Sequence, residues 1–288
     1  MRFFFKIFYS FIIHIDNLLY KIIKRNFLLD FVESIRNKSI SHLEINGSKY
    51  KFYTPNIITK FRIRTFYEKE PETLNWISNF DKKEPFTFMD IGSNVGIYSI
   101  YNCIIHKNSN VLSIEPSMQN LSILSRNISL NNFQEKINIL PIGLTNKKKG
   151  FFLMQETSLY EGGALNSFGE KFDFEGNDIT NKIMNSYSTF GMSLDELINE
   201  FNINIPKYIK IDVDGIEHLI LDGARDLLSN NKLKSVLVEI NENFIDQTQK
   251  VNEIMKNTGF KLREKKQVEQ SVKGTVFEKS YNCIFDRD

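Results

Sequence analysis

Eight positions in this 288-residue chain combine residue type and spacing in a way that can do chemistry: Asp90, Gly92, Asn94, Gly96 and Glu115, then Lys210, Asp212 and Asp214. The first group opens with Asp90-Ile91-Gly92-Ser93-Asn94-Val95-Gly96, directly after the apolar run Phe86-Thr87-Phe88-Met89. That order reads as a strand, a glycine loop and a helix, the arrangement that receives a nucleotide-type cofactor. The glycines stand four apart with no third one following, which departs from the G-x-G-x-x-G spacing that wraps a pyrophosphate and so disfavours NAD or FAD. An acidic strand end in D-x-G-x-x-x-G suits S-adenosylmethionine instead. The methionine end of that donor offers a cationic amine to a carboxylate, and its chain can lie against a loop without side chains. An ordinary strand-to-helix turn, which glycine also favours, is the competing reading.

Val111-Leu112-Ser113-Ile114 forms a second short apolar strand ending at Glu115, about twenty residues past the glycines, the offset at which an acid meets ribose hydroxyls. Pro116 and Ser117 then open a helix, where proline is tolerated early and serine can cap. In the second group, Tyr208-Ile209-Lys210-Ile211-Asp212-Val213-Asp214-Gly215, an extended backbone puts Lys210, Asp212 and Asp214 on one side and Ile209, Ile211 and Val213 on the other. A central parallel strand is usually apolar on both faces, so these charges need mutual pairing or a functional role. An ion pair that caps the next helix through Asp214 is the plainer alternative. Methyl transfer from a sulfonium is an in-line displacement, and a hydroxyl acceptor must also lose its proton. Lys210, with its pKa depressed by burial, or Asp212 would take that proton or orient the group that does. His218 lies in the following helix, where a packing role is expected. Asp212 with Glu239 and Asn241 could hold a divalent cation through oxygen ligands, though no metal is assigned.

These residues need a scaffold. Helical periodicity covers 96–105 and about 118–130, the latter with Leu121, Leu124 and Ile128 as its buried stripe. Further strands are expected at 137–140, 151–154 and 236–240, a small hairpin at 44–53 and mainly helix over 56–80, capping the cofactor cleft. The stretch 155–187 lacks helical periodicity and is glycine-rich at 161–169, so it reads as a long functional loop against substrate or cofactor. Strand-helix alternation with short apolar strands implies an α/β fold, a mostly parallel doubly wound sheet with ligands at the carboxyl ends of its strands. The division expected is 1–80, an amphipathic helix with a cap region, and 81–288, the cofactor-binding domain.

Composition, 41% hydrophobic and 25% charged, is that of a folded soluble protein, and a net charge of +2 gives no reason to expect a nucleic-acid partner. Lys147-Lys148-Lys149 reads as a solvated turn. Cys103 and Cys283 lie too far apart for ligand spacing and read as buried thiols, and the four histidines are scattered. In residues 1–25, Phe4, Phe8, Phe11, Ile15, Leu18 and Ile22 share one helical face, with Arg2, Lys6, Lys21, Lys24 and Arg25 supplying positive charge. No uninterrupted run is long enough to span a bilayer and no signal peptide is evident. The pattern is that of an interfacial helix, with packing on its own domain or a dimer partner as the alternative. The expected location is cytoplasmic, with peripheral contact at the inner face of the membrane.

DIGSNVGIYS, SIEPSMQNLSILSRNISLNN and YIKIDVDGIEHLILDGA, in that order, resemble the FkbM-type S-adenosylmethionine-dependent methyltransferases over residues 70–239. Glu70-Pro71-Glu72-Thr73 with Trp76-Ile77, and Gly162-Gly163-Ala164-Leu165-Asn166-Ser167-Phe168, are similar to segments of one branch of that family. Ser93 stands where alanine is common and Asp214 where many members have glutamate. The resemblance implies a Rossmann-like class I methyltransferase fold, S-adenosylmethionine as cofactor, and O-methylation of a hydroxyl on a sugar, glycan or other small metabolite in glycan or secondary-metabolite biosynthesis. The alternative from another class is a binding or scaffold protein on the same fold, docking a membrane or protein partner. Intact Asp90, Gly92, Gly96 and Glu115 argue against it.

Overall fold

In the computed structural model, which describes residues 2–267, 274–275 and 277–287, the chain begins with α1 (Arg2–Ile23) and α2 (Phe27–Asn37). The side chain of Arg2 lies outside the described residues. The hairpin β1 (Ile40–Ile45) and β2 (Ser48–Tyr53) follows, longer at its start than the sequence pattern suggests, with Asn46 and Gly47 at positive φ in its two-residue turn. Three short helices come next: α3 (Ile57–Arg64), started by an Asn56–Thr59 capping box, α4 (Phe66–Lys69), and α5 (Pro71–Ser78), which has Pro71 in its first turn.

The nucleotide-binding half then runs β3 (Phe86–Ile91), α6 (Ile97–Ile105), β4 (Ser109–Ile114), α7 (Met118–Leu130) and β5 (Ile137–Leu140). Ser117 caps α7 by accepting from the Asn120 N–H, and Leu124 and Ile128 are buried with Leu121 partly so. The expected long loop is less irregular than its composition suggests. β6 (Gly143–Leu144), β7 (Gly150–Glu156), β8 (Ser167–Phe168) and β9 (Asn185–Met192) form a small second sheet in the order β6-β9-β7-β8. Both ends of 155–187 therefore lie in paired strands, and Tyr187 belongs to β9. Pairing with β7 satisfies a β9 backbone that no local periodicity announces.

The second half contains α8 (Leu194–Glu200), β10 (Tyr208–Ile211), α9 (Glu217–Asp222), α10 (Arg225–Ser229), β11 (Ser235–Asn241), α11 (Ile245–Asn257), β12 (Lys261–Gln267) and β13 (Ser280–Asp286). The main sheet has the order β12-β13-β11-β10-β3-β4-β5. β11, β10, β3, β4 and β5 are mutually parallel, and β13 runs antiparallel between β11 and β12. Chain progression turns outward in opposite directions from β3 and β10, so the crevice between their carboxyl ends is the switch point at which such sheets bind ligands.

One core packs Ile209, Ile211, Val236 and Val238 against α8 to α11 and the small sheet. The opposite core joins Phe86, Phe88 and Ile100 to Leu43, Phe52, Ile63 and Trp76, so the hairpin and α3–α5 are built into the body rather than tethered to it. The Trp76 indole N–H donates to Ser235 Oγ at 2.8 Å, and Phe80 stacks on Tyr208 at 3.7 Å between centroids, a pair worth about 1 kcal/mol beyond its area. Both cysteines are buried and free.

Candidate active site

The glycine loop is built against the end of β10. Gly92 sits at φ +77° and a Cβ there would lie 1.8 Å from the Asp212 carbonyl oxygen, so only glycine lets the two strand ends approach. Asn94 at +49° and Gly96 at +82° continue the left-handed turn into α6. The N–H groups of Gly92 and Ser93 donate to the Ile114 carbonyl, which ties the loop to β4.

Glu115 is buried at the end of β4. Its Oε2 accepts from the Asn94 N–H at 2.8 Å and its Oε1 from the Ser117 N–H at 2.9 Å, so the carboxylate is held in one orientation between loop and helix. Burial pushes it up to about 7 against the lowering pull of those two donors. It lines a small recess of about 60 Å³ with Gly92, Asn94, Asn120 and Gly163.

Asp90 lies behind the loop. It is 0% exposed, accepts from Ser99 Oγ at 2.6 Å, and lines none of the three cavities at this edge of the sheet. Glu70 and Asp212 instead line, with Lys210 and Tyr98, a second recess of about 50 Å³ beside Gly92, Ser93 and Asn94.

Lys210 and Asp212 meet as an ion pair, Nζ to Oδ2 2.6 Å, with Lys210 only 1% exposed and Asp212 25%. Strand register sets Lys210 beside Asp90, and its ammonium lies 4.9 Å from the Tyr98 ring centroid. Burial alone would depress Lys210, but the charges of Asp212, Glu70 and Asp90 outweigh it and hold its pKa raised. The expected depressed-pKa lysine base is therefore corrected: Lys210 keeps its proton. Burial works to raise Asp212, and Lys210 overrides it and holds the carboxyl well below the ordinary range. Glu239, hydrogen-bonded to Asp212, is driven well above its ordinary value by burial and by the Asp212 charge.

The extended segment stops at Ile211. Asp214 adopts φ +63°, and its Oδ2 accepts from the N–H groups of Leu165 at 2.7 Å and Asn166 at 3.3 Å. Burial and then Asp212 push it up to about 6. Lys210, Asp212 and Asp214 are brought to one place, but by a turn rather than strand alternation. Asp214 does not cap the next helix, which has no side-chain cap; Glu217 in its first turn accepts from the Val213 and Gly215 N–H groups of the turn before it. His218 packs against Phe172 and Phe244, and burial lowers it to about 4.

A roof closes over these groups. Segment 157–166 is fastened to the glycine loop by Asn94 Nδ2 donating to the Gly163 carbonyl, and to α7 by the Gly162 N–H donating to Asn120 Oδ1. Arg62 Nε reaches it from α3, donating to the Gly162 carbonyl at 2.8 Å. Between roof and strand ends lies a cavity of about 580 Å³, with Asp212, Asp214 and Glu239 on one wall and Ile58, Phe61, Arg62, Leu165 and Phe277 around it, a size that suits small ligands.

The chain suits the implied donor. The Gly92 cradle would be filled by any Cβ, and Asn94 Oδ1 is a buried acceptor without a partner among the described residues. Glu70, Arg62, Lys69 and Tyr98 were missed as site residues; the charged Lys69-Glu70 pair just before Pro71 is their signal in the sequence. The Asp212, Glu239 and Asn241 cation set does not assemble. Asn241 Oδ1 accepts from the Asn243 N–H, and no group of three His, Cys, Asp or Glu able to hold a metal occurs among the described residues.

A family model described as the methyltransferase FkbM domain matches residues 90–262. No curated protein sequence matches the chain. Among solved structures, the fold is similar to a SAM-dependent methyltransferase from Agrobacterium tumefaciens at TM-score 0.51 and 11% identity, over 87% of this chain and 71% of that one. A methyltransferase FkbM from Methylobacillus flagellatus KT aligns at TM-score 0.43 and 18% identity over 80% of this chain, which spans about half (52%) of that protein. M. jannaschii TYW2, solved in complex with AdoMet, aligns at TM-score 0.44 and 11% identity over 87% of each chain.

Proposed function

The chain belongs to the FkbM methyltransferase family, with S-adenosylmethionine as its methyl donor, and from that premise we propose that it methylates a hydroxyl oxygen of a sugar, glycan or other small metabolite. The observation that carries this reading is the Asp212–Glu239 carboxyl pair. It is anchored by Lys210 at the carboxyl end of β10 and opens on the cavity beside the glycine loop.

When bound, the donor supplies a methyl group on a sulfonium, electrophilic without further activation. Glu115, fixed by two backbone donors, would accept the ribose hydroxyls, with Gly92, Asn94 and Gly96 forming the cradle. Glu70 and Asp212 would face the methionine amine; Asp90 stiffens the loop from behind through Ser99. The carboxyl wall of the cavity orients a hydroxyl acceptor, and the aromatic and aliphatic wall of Phe61, Ile58 and Leu165 packs against its apolar face. As the new O–CH3 bond forms and the C–S bond breaks, the hydroxyl proton passes to Asp214, whose carboxyl stands at about 6 and lines the same cavity, while Asp212 and Glu239 orient the hydroxyl. Lys210 keeps Asp212 ionised and placed, and Asp214 also holds the roof through Leu165 and Asn166. Under this reading 1–80 serve as amphipathic helix and cap, and 81–288 as the catalytic body.

Calorimetric titration with S-adenosylhomocysteine tests the donor site, and a screen of hydroxylated sugars and nucleotide sugars, read as a mass gain of one methyl, tests the acceptor. Asp214→Asn should lower turnover about 100-fold or more, the scale of a lost proton acceptor, with the affinity for S-adenosylhomocysteine changed far less, whereas Asp212→Asn should weaken both. Methyl appearing on a nitrogen or carbon of the product would overturn the hydroxyl assignment.

A further inference from the structure

Of the 27 large hydrophobic side chains exposed on the described residues, 15 lie between Phe4 and Ile35, so exposure is concentrated in α1 and α2 rather than scattered as on an ordinary surface. At 100° per residue Phe8, Phe11, Ile15, Leu18 and Ile22 share one narrow face of α1, and each is exposed. No residue of α2 is buried; Phe27, Leu29, Phe31 and Ile35 all face outward.

Charge says what covers this surface. Residues 2–38 hold seven Lys or Arg against three Asp or Glu, a net +4 in a chain whose total is +2, so the remainder is net negative. The acids are partly spent within the segment: Asp16 Oδ1 accepts the Leu28 N–H at 3.0 Å, which joins the two helices, and Asp30 lies 3.8 Å from Arg25. Lys21 flanks the apolar face and Lys24 and Arg25 stand just past the end of α1, all three exposed, with Lys6 on the far side of the helix. Two copies laid face to face would oppose these cations, whereas anionic headgroups would neutralise them. No helix among the described residues is long and apolar enough to cross a membrane. An apolar, basic helix pair of this kind lies in the interface plane.

We infer that α1 and α2 form a platform that docks this protein on an anionic lipid surface. The end of α2 is tied to the body, because Arg36 pairs with Glu161 of the roof segment and Arg126 donates to the Asn37 carbonyl. Docking therefore holds the roof of the 580 Å³ cavity next to the bilayer.

The test is flotation of the full chain with phosphatidylcholine vesicles, with and without phosphatidylglycerol, at low and high salt. Co-flotation with the anionic vesicles, weakened by salt, is expected. Lys21→Gln and Lys24→Gln should each reduce partitioning about fivefold, the equivalent of roughly 1 kcal/mol per headgroup-facing cation. Phe8→Asp with Phe11→Asp should abolish it while circular dichroism and Tm stay unchanged. Absence of anionic-vesicle binding by folded protein would overturn the inference. So would binding that survives the Phe8→Asp, Phe11→Asp pair. A light-scattering dimer that the same pair dissociates, with no vesicle binding in the parent, would assign the face to a second copy instead.

Discussion

Replacing Lys210 by methionine removes a buried cation while keeping most of its stem. The ammonium is 1% exposed, lies 2.6 Å from Asp212 and has Asp90 as its register neighbour. Glu70 retains Lys69 at 2.8 Å, so the uncompensated charge falls on Asp212 and Asp90. Removing one member of a buried pair costs about 3–5 kcal/mol. Asp212 is 25% open to solvent, which screens its share and sets the expectation near the lower end, about 3 kcal/mol. With a urea slope of about 1–3 kcal/mol/M, the unfolding midpoint should fall by roughly 1–3 M at pH 8. The pH dependence has a definite sign. Asp212 and Glu70 are held below their ordinary values in the parent, so their contribution is present above their unfolded pKa of about 4 and is lost as pH falls through the lower folded values. In the variant the freed carboxyls can take up protons, so acidification relieves the repulsion. The gap between parent and variant should be widest at pH 8 and narrow towards pH 4. A loss under about 1 kcal/mol at pH 8, the size of a surface pair, or a gap that does not change with pH, would refute this account of the strand-end cluster.

Gly92→Ala must separate the loop from β10, because its Cβ would meet the Asp212 carbonyl at 1.8 Å and φ is +77°; a loss of about 3 kcal/mol or more is expected in thermal unfolding, with Gly150→Ala, whose nearest neighbour is 4.0 Å away, as the neutral control. Glu115 sits at about 7, so if its carboxylate accepts ribose hydroxyls, S-adenosylhomocysteine affinity should fall as pH drops from 8 to 6, with proton release on binding seen by calorimetry in buffers of different ionisation enthalpy. Glu115→Gln should remove that pH dependence. Glu115, Asp214 and Glu217 stand at about 7, 6 and 7, above their unfolded values. The folded state therefore keeps protons the unfolded chain gives up, and stability should decline as pH rises from about 4 to 7; Tm of the ligand-free protein should be roughly 5–10 °C lower at pH 8 than at pH 5. A Tm flat across that range would mean these carboxyls are better solvated than their burial implies.

Much of the main sheet was legible in the chain because its signals are local. Apolar runs of four to six residues ending at Asp90, Glu115 and Asp212, the serine at the start of α7 and the glycines of the loop act through nearest neighbours, so they read the same with or without the rest of the protein. The amphipathic helix within residues 1–25 and the hairpin over 44–53 were readable on the same terms, though the hairpin begins at Ile40, as was the alternation that implies a doubly wound sheet. Tertiary structure decided what depends on groups far apart in sequence. β9 exists because β7 pairs with it; Asp90 is sealed away because Ser99 and the glycine loop cover it. The protonation states are of this kind too. Burial alone predicts a neutral Lys210, but the field at its ammonium is set by Glu70, Asp90 and Asp212, which come together through a helix cap and two strand registers. Residue type and spacing fix which groups can carry charge; the distance between them in the fold, over which Coulomb energy and desolvation compete, decides which groups keep it.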